Sequence, residues 1–205
     1  MRCPSLRPRI LLLAGLVTAG ARPGPSGAAG IDERSDVVQV VVKSVWRSPD
    51  PLDINVVFLR DPKTERLLPI WVGRFEADAI QMKLSGQTFP RPLTHDLIKS
   101  LIQAAGARVD YVLIDALRST DGRDNGTYFA KIALTPKGRE KVEVDSRTSD
   151  AIALSLRAGA PVYVASAIMK GNSISSEEEL SARRRLEPAP EGSQKEQDSP
   201  VKGFY

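Results

Sequence analysis

The segment SDAIALSLRAG, Ser149–Gly159, predicts a helix whose surface is apolar on nearly every side. When its residues are placed 100° apart, only Asp150 and Arg157 share a polar stripe. Ser149 or Asp150 would cap its start, and Gly159 would cap its end. Because such a helix is stable only when other elements cover it, the chain must fold with this helix in its interior.

Valine-rich and apolar runs predict the strands that would cover this helix. Two further helices are predicted at Arg74–Ser85 and at Leu93–Ala105, and Gly106 closes the second. Strands that come in runs with helices between them favour an α+β fold with a mixed, mainly antiparallel sheet, about three helices and a single domain. The predicted strands are Asp36–Trp46, Leu52–Leu59, Leu67–Val72, Val109–Leu117, Thr127–Leu134, Lys141–Asp145 and Val162–Ser166.

The two ends of the chain differ from this central part. Residues 1–21 are expected to be a signal peptide, because three arginines precede an apolar run that is too short to span a bilayer. Residues 22–31 are a Gly- and Pro-rich linker, residues 32–174 the domain, and residues 175–205 a disordered polar tail in which a short helix could form at Glu177–Leu186. The mature chain has no membrane span. It is exported to the periplasm or the medium if the leader is cleaved, and cytoplasmic otherwise.

Composition narrows the function classes. The net charge is +4, from 29 basic and 25 acidic residues, but three of the arginines lie in the leader, so the mature chain carries only +1. A strongly basic face, which is typical of nucleic-acid binders, is therefore not visible in the totals. The only cysteine, Cys3, also lies in the leader, and His95 is the only histidine. Disulfides, thiol catalysis and a multi-histidine zinc site within one chain are thereby excluded.

The helix at Arg74–Ser85 has two apolar faces with charged residues between them. A helix that is apolar on two sides is expected to be buried on two sides, which leaves its carboxylates in grooves where they must be paired or bind a cation. One interpretation pairs Glu76 with Lys83 and Arg74 with Asp78, and places the second apolar face in a dimer contact. The other makes Glu76 a functional carboxylate.

The stretch RPLTHDLI, Arg91–Ile98, also has two interpretations. In the first, Thr94 caps a helix, Asp96 complements the helix dipole and His95 is half-buried. In the second, the helix amides and Arg91 attract a phosphate, and His95 is a general acid or base.

The stretch DSRTSD, Asp145–Asp150, leaves the same choice open. Its two carboxylates and Arg147 could hold a magnesium ion and orient a phosphate, or they could form an ion-pair network. Phosphate loops, nucleophile elbows and HExxH motifs are absent from the sequence.

Three stretches in this order together resemble the bifunctional nuclease family. They are LPIWVGRFEADAI (68–80), RPLTHDL (91–97) and DSRTSDAIALSLR (145–157), and Thr148 stands where the family usually has proline. The resemblance covers about residues 37–168. The family's signature residues that are present here are Gly73, Glu76, Arg91, Thr94, His95, Asp96, Arg147, Ser149 and Asp150.

The resemblance implies an α+β domain that forms a homodimer and hydrolyses phosphodiester bonds of RNA or DNA. Together with the polar residues at the helix starts, the resemblance supports the hypothesis of a metal-dependent nuclease. Its candidate catalytic residues are His95, Asp96, Glu76 and Asp150, and its candidate substrate-binding residues are Arg91, Arg147, Thr94 and Ser149. Glu76, Asp96 and Asp150 would be the ligands of Mg²⁺ or Mn²⁺. The alternative is a non-catalytic module of the same fold that binds a ligand or a partner.

Overall fold

The structure is a computed structural model, and it describes residues 36–49, 52–119 and 126–186. The leader, the linker and the last 19 residues lie outside these ranges, so the predictions of a signal peptide, of export and of disorder beyond residue 186 stay predictions. None of the helices in the described part of the chain is long and apolar enough to cross a membrane.

The described residues form one seven-stranded sheet with the order β3-β2-β1-β7-β4-β5-β6. Neighbouring strands are antiparallel except β4 and β7, which are parallel. β1 pairs with β7 over Val37–Val40 and with β2 over Val41–Arg47, and its pairing with β2 shifts register between Val42 and Ser44. The strands are β1 (Val37–Arg47), β2 (Asn55–Arg60), β3 (Leu67–Val72), β4 (Ala107–Arg118), β5 (Thr127–Pro136), β6 (Val142–Arg147) and β7 (Val162–Ala165).

In the described part of the chain five helices accompany the sheet, so the prediction of an α+β fold is confirmed and the prediction of about three helices is wrong. They are α1 (Arg74–Leu84), α2 (Thr94–Ala104), α3 (Thr148–Ala158), α4 (Ser166–Asn172) and α5 (Ser176–Leu186). The first three match the predicted helices to within a residue at each end. The fourth has only seven residues, too few for its apolar spacing to stand out in the sequence.

Helix α3 lies in the core, as its apolar surface predicts. Ile152 and Leu154 are fully buried in the main hydrophobic cluster, which also includes Ile114 of β4 and Ile80 of α1. Each side chain of this size stabilises the fold by roughly 1.5–3 kcal/mol when it is removed from water. Gly159 ends the helix with φ of +70°, a conformation that glycine adopts without steric strain. Helices α1 and α2 both pack against α3, which places their N-terminal turns near its own.

The observed N-caps lie one to three residues before the predicted ones. Thr94 is the first residue of α2 and Leu93 precedes it as the cap. Helix α3 starts at Thr148 after Arg147, so Ser149 and Asp150 lie inside its first turn. Neither cap residue makes a side-chain cap bond. The side chains of this turn are therefore available for contacts with other elements.

The first part of the polar tail is helical in the structure, and the short helix predicted at Glu177–Leu186 is present as α5. Helix α5 is held by Glu179, a buried carboxylate that binds Lys43 of β1 and Arg183 of its own helix. Arg183 also lies over the ring of Phe58, 5.1 Å from its centroid. One buried acid within a polar sequence thus fixes a helix that composition alone assigns to solvent.

Candidate functional site

A continuous chain of four side chains joins the starts of three helices. Arg147 Nη1 donates to Glu76 Oε1 at 2.9 Å, and Arg147 Nε donates to Asp150 Oδ2 at 2.7 Å. The second oxygen of Asp150 lies 3.3 Å from His95 Nε2. Glu76 belongs to α1, His95 to α2 and Asp150 to α3. His95 and Asp150 are 55 residues apart in the sequence, and Glu76 and Arg147 are 71 residues apart. We call Glu76, Arg147, Asp150 and His95 the ionic chain.

The local backbone explains why these side chains meet. Glu76 and Asp150 each lie in the first turn of a helix, where a carboxylate is stabilised by the positive end of the helix dipole. Arg147 is the last residue of β6 and the residue before α3, so it lies where the edge strand turns into the buried helix. Thr148 fixes this corner, because its hydroxyl donates to the carbonyl of Tyr128 in β5 at 2.8 Å.

The charges of the ionic chain stabilise one another. Burial alone would raise the pKa of Asp150, but hydrogen bonds with Arg147 and His95 outweigh burial and hold that pKa below its usual value. The hydrogen bond with Asp150, more than the one with Glu76, raises the pKa of Arg147. At neutral pH the site therefore holds an ionised carboxylate beside a guanidinium that is 67% exposed.

His95 contacts Asp150 from the buried side of the ionic chain, whereas Arg147 lies on the exposed side. His95 is buried, and within the described residues Asp150 is the one polar partner of its side chain. A group in this position orients the carboxylate and has little access to a substrate. The geometry therefore favours a positioning role for His95, acting through Asp150, over the predicted role of general acid or base.

Asp96 takes part in a different cluster. Its Oδ1 lies 3.1 Å from Arg157 Nε, and its Oδ2 accepts the backbone N–H of Leu93 at 3.1 Å. The Arg157 side chain is only 3% exposed, and it also donates to the carbonyls of Ala79 and Ala153. Arg157 Nε is not aimed at the carboxylate, so the contact is ionic and not a hydrogen bond. Asp96 thus neutralises a buried arginine.

Arg91 and Thr94, two predicted substrate-binding residues, are exposed and form no hydrogen bond or ion pair with the ionic chain. Arg91 instead lines a separate cleft of about 430 Å³ with Lys83, Asp96 and Arg157. The structure therefore divides the predicted site into two: the ionic chain, with Ser149 nearby, and the cleft of Arg91 and Asp96.

The predicted pairs within the first helix are wrong. Glu76 binds Arg147 and not Lys83, while Asp78 binds Arg47 of β1 and not Arg74. Both acids reach across to other elements because α1 is packed between them. In α2, the apolar side chains of Leu97, Ile98 and Leu101 are exposed.

The three carboxylates predicted as metal ligands do not come together. Glu76 and Asp150 share Arg147, whereas Asp96 is held by Arg157. Within residues 36–49, 52–119 and 126–186 there is no group of three or more His, Cys, Asp or Glu side chains that could hold a metal ion. A three-carboxylate site therefore does not fit this arrangement.

A cavity of about 560 Å³ opens beside the ionic chain. Its walls come from both edge strands of the sheet, with Trp71 from β3 and Asp145 from β6, and from Tyr128 of β5. Glu76 and Arg147 line it as well. Trp71 and Tyr128 were not predicted as functional residues, because an aromatic residue within a predicted strand usually indicates a core position.

Fold and site together define an α+β protein with a mixed sheet whose polar cluster lies where three helices begin. The family model described as the bifunctional nuclease domain matches residues 57–177, and the chain belongs to this family. Two relatives are uncharacterized proteins of Mycobacterium tuberculosis, from strains CDC 1551 and H37Rv. Each is 38% identical over 123 residues, which cover 60% of this chain and 69% of the relative.

Proposed function

We propose that this protein hydrolyses phosphodiester bonds of RNA or DNA, and that the ionic chain is its active site. The observation that carries the proposal is the exposed guanidinium of Arg147, fixed between two carboxylates at the wall of a cavity. Membership of the bifunctional nuclease domain family supports nucleic acid as the partner.

Arg147 is suited to bind the phosphate. A guanidinium presents paired N–H groups that match two phosphate oxygens, and such charge-assisted bonds are stronger than neutral ones. Arg147 now donates to Glu76 and Asp150, and a phosphate would compete for the same N–H groups. When Arg147 turns to the phosphate, Asp150 loses the partner that does most to lower its pKa. It then becomes a stronger base towards the attacking water, while His95 keeps it in place.

A magnesium or manganese ion fits the proposal only if it is bound by fewer protein carboxylates than the three predicted from the sequence. Glu76 and Asp150 are the two carboxylates that lie on one cluster, and Mg²⁺ is commonly bound by one or two carboxylates together with phosphate oxygens and water. Such an ion would supply positive charge to the developing transition state.

The test is cleavage of end-labelled single-stranded RNA and DNA by the full chain, with Mg²⁺, Mn²⁺ or EDTA. Asp150→Asn and Arg147→Met should each reduce the rate by about 100-fold or more, as expected for a group that stabilises transition-state charge. Arg60→Met is the matched control, since Arg60 forms only an exposed pair with Glu65. Cleavage that persists in folded Asp150→Asn and Arg147→Met would refute the assignment.

The second candidate is a non-catalytic binding module. It is favoured by the closed pairing of Arg147 with two carboxylates, which is also what a structural ion-pair network looks like. In that case the wild-type chain would bind a ligand in the cavity, and no preparation would cut above the level of the variants.

We also propose that the chain forms a homodimer through helix α2. Leu97, Ile98 and Leu101 expose an apolar face that is unusual for the surface of a monomer. Light scattering after gel filtration should give twice the chain mass. Leu101→Glu should then give the monomer mass, and a wild-type monomer would refute the proposal.

A further inference from the structure

The cavity beside the ionic chain has an exposed aromatic wall. Trp71 is 65% exposed although it lies in β3, where the four preceding residues are buried. Tyr128 lines the cavity too, and burial raises the pKa of its phenol, so it remains protonated at neutral pH. A large exposed indole costs hydrophobic free energy unless it has an occupant to cover it.

Asp145 disfavours a phosphate on its side of the cavity, whereas Arg147 attracts one. Among the described residues that line the cavity, Glu76 and Asp145 are the carboxylates and Arg147 is the cation. The Asp145 side chain forms no hydrogen bond or ion pair within the described residues, so its carboxylate oxygens are available as acceptors. A carboxylate repels a phosphate but accepts hydrogen bonds from the amino and ring N–H groups of a nucleobase.

We propose that this cavity is a nucleobase subsite in which an unpaired base stacks on Trp71 and turns its hydrogen-bond donors towards Asp145. This inference rests on the proposed function, because the phosphate next to that base would be the one that Arg147 binds. The cavity volume of about 560 Å³ lies within the range of small-molecule sites, which is roughly 300–1,000 Å³.

The subsite makes single-stranded nucleic acid the substrate class. A base within a duplex is stacked on its neighbours and paired along its donor edge, so it can offer neither its face to Trp71 nor its donors to Asp145. Stacking on an aromatic side chain tolerates any base, whereas contact with Asp145 requires a base with a free donor.

The test measures binding of the full chain to labelled 12-nucleotide single strands by fluorescence anisotropy, in EDTA so that metal-dependent cleavage is suppressed. Trp71→Ala should weaken binding about tenfold, the loss typical of one base–aromatic stack. Trp71→Phe should restore most of the affinity. Phe75→Ala is the matched control, since Phe75 is an even more exposed aromatic residue that does not line the cavity.

Two further arms define the ligand. A duplex of the same sequence should bind at least tenfold more weakly than the single strand. In a Trp46→Phe background, Trp71 is the only tryptophan, and its fluorescence should be quenched by the single strand and not by an abasic strand of equal charge. Unchanged affinity in Trp71→Ala, or equal binding of duplex and single strand, would overturn the subsite.

The outcomes separate this inference from the proposed function. Cleavage that depends on Arg147 and Asp150, together with unchanged binding in Trp71→Ala, would refute the base subsite and leave the nuclease. Trp71-dependent binding of single strands without any cleavage would refute the nuclease and support a base-binding module.

Discussion

Replacing Asp96 by alanine tests whether this residue has a structural or a chemical role. The change removes the ionic contact with Arg157 and the bond from the Leu93 N–H. Breaking a fully buried ion pair costs about 3–5 kcal/mol, and breaking an exposed pair costs about 0–1 kcal/mol. The present pair lies between these limits, because Arg157 is 3% exposed, Asp96 is 41% exposed and Arg157 keeps two backbone carbonyls as acceptors.

We therefore expect the lost ion pair to cost about 1–2 kcal/mol and the lost bond at the start of the helix to add about 0.5–1 kcal/mol. Urea unfolding followed by circular dichroism should show a free energy of unfolding lower by about 1.5–3 kcal/mol, with an unchanged m-value. Asp145→Ala is the control, because the Asp145 side chain is exposed and has no hydrogen-bond or ionic partner among the described residues. This variant should change the free energy of unfolding by less than about 0.5 kcal/mol. Full stability of Asp96→Ala together with lost cleavage would refute this reasoning and make Asp96 a catalytic residue.

Three further variants test other contacts of the structure. Glu179→Ala should lower the free energy of unfolding by about 2–3 kcal/mol and speed proteolysis within α5, because this buried carboxylate binds Lys43 and Arg183. Glu177 is exposed, so Glu177→Ala should change neither the stability nor the proteolysis rate. The pKa of Asp150 is lower in the folded protein than in the unfolded chain. The ionised carboxylate therefore stabilises the fold above about pH 4, and this stabilisation is lost as the pH falls through the folded pKa. Asp150→Asn should lack this loss of stability during acid unfolding. Gly73→Ala would place a methyl group 2.3 Å from Glu76 Oε2 and force that carboxylate to move, so cleavage should fall as in Glu76→Ala while the melting temperature changes little.

The elements of the fold could be predicted because their signals are local. The apolar surface of α3 and Gly159 define that helix within the sequence itself, and the valine-rich runs define the strands. Helix α5 was only partly predicted, because its docking depends on Glu179 reaching Lys43, 136 residues away. No property of the tail sequence distinguishes this buried glutamate from its solvated neighbours.

The candidate site was predicted as a set of residues and not as an arrangement. Resemblance to the family drew attention to Glu76, His95, Arg147 and Asp150, and the structure joins these four. It also drew attention to Asp96, which points to Arg157. Neighbouring residues on a helix point in directions about 100° apart, so His95 and Asp96 reach different partners. Which partner each one meets depends on how α2 crosses α3, and the sequence does not contain that crossing in any local pattern.

The most direct measurement of the central claim is the single-turnover cleavage rate of a labelled single strand by Arg147→Met, Asp150→Asn and the double variant. If the two side chains act as one unit, each single variant loses about 100-fold or more and the double variant is no slower than the slower single one. Losses that multiply in the double variant, or single variants that cut at the wild-type rate, would contradict the claim that the ionic chain is the active site.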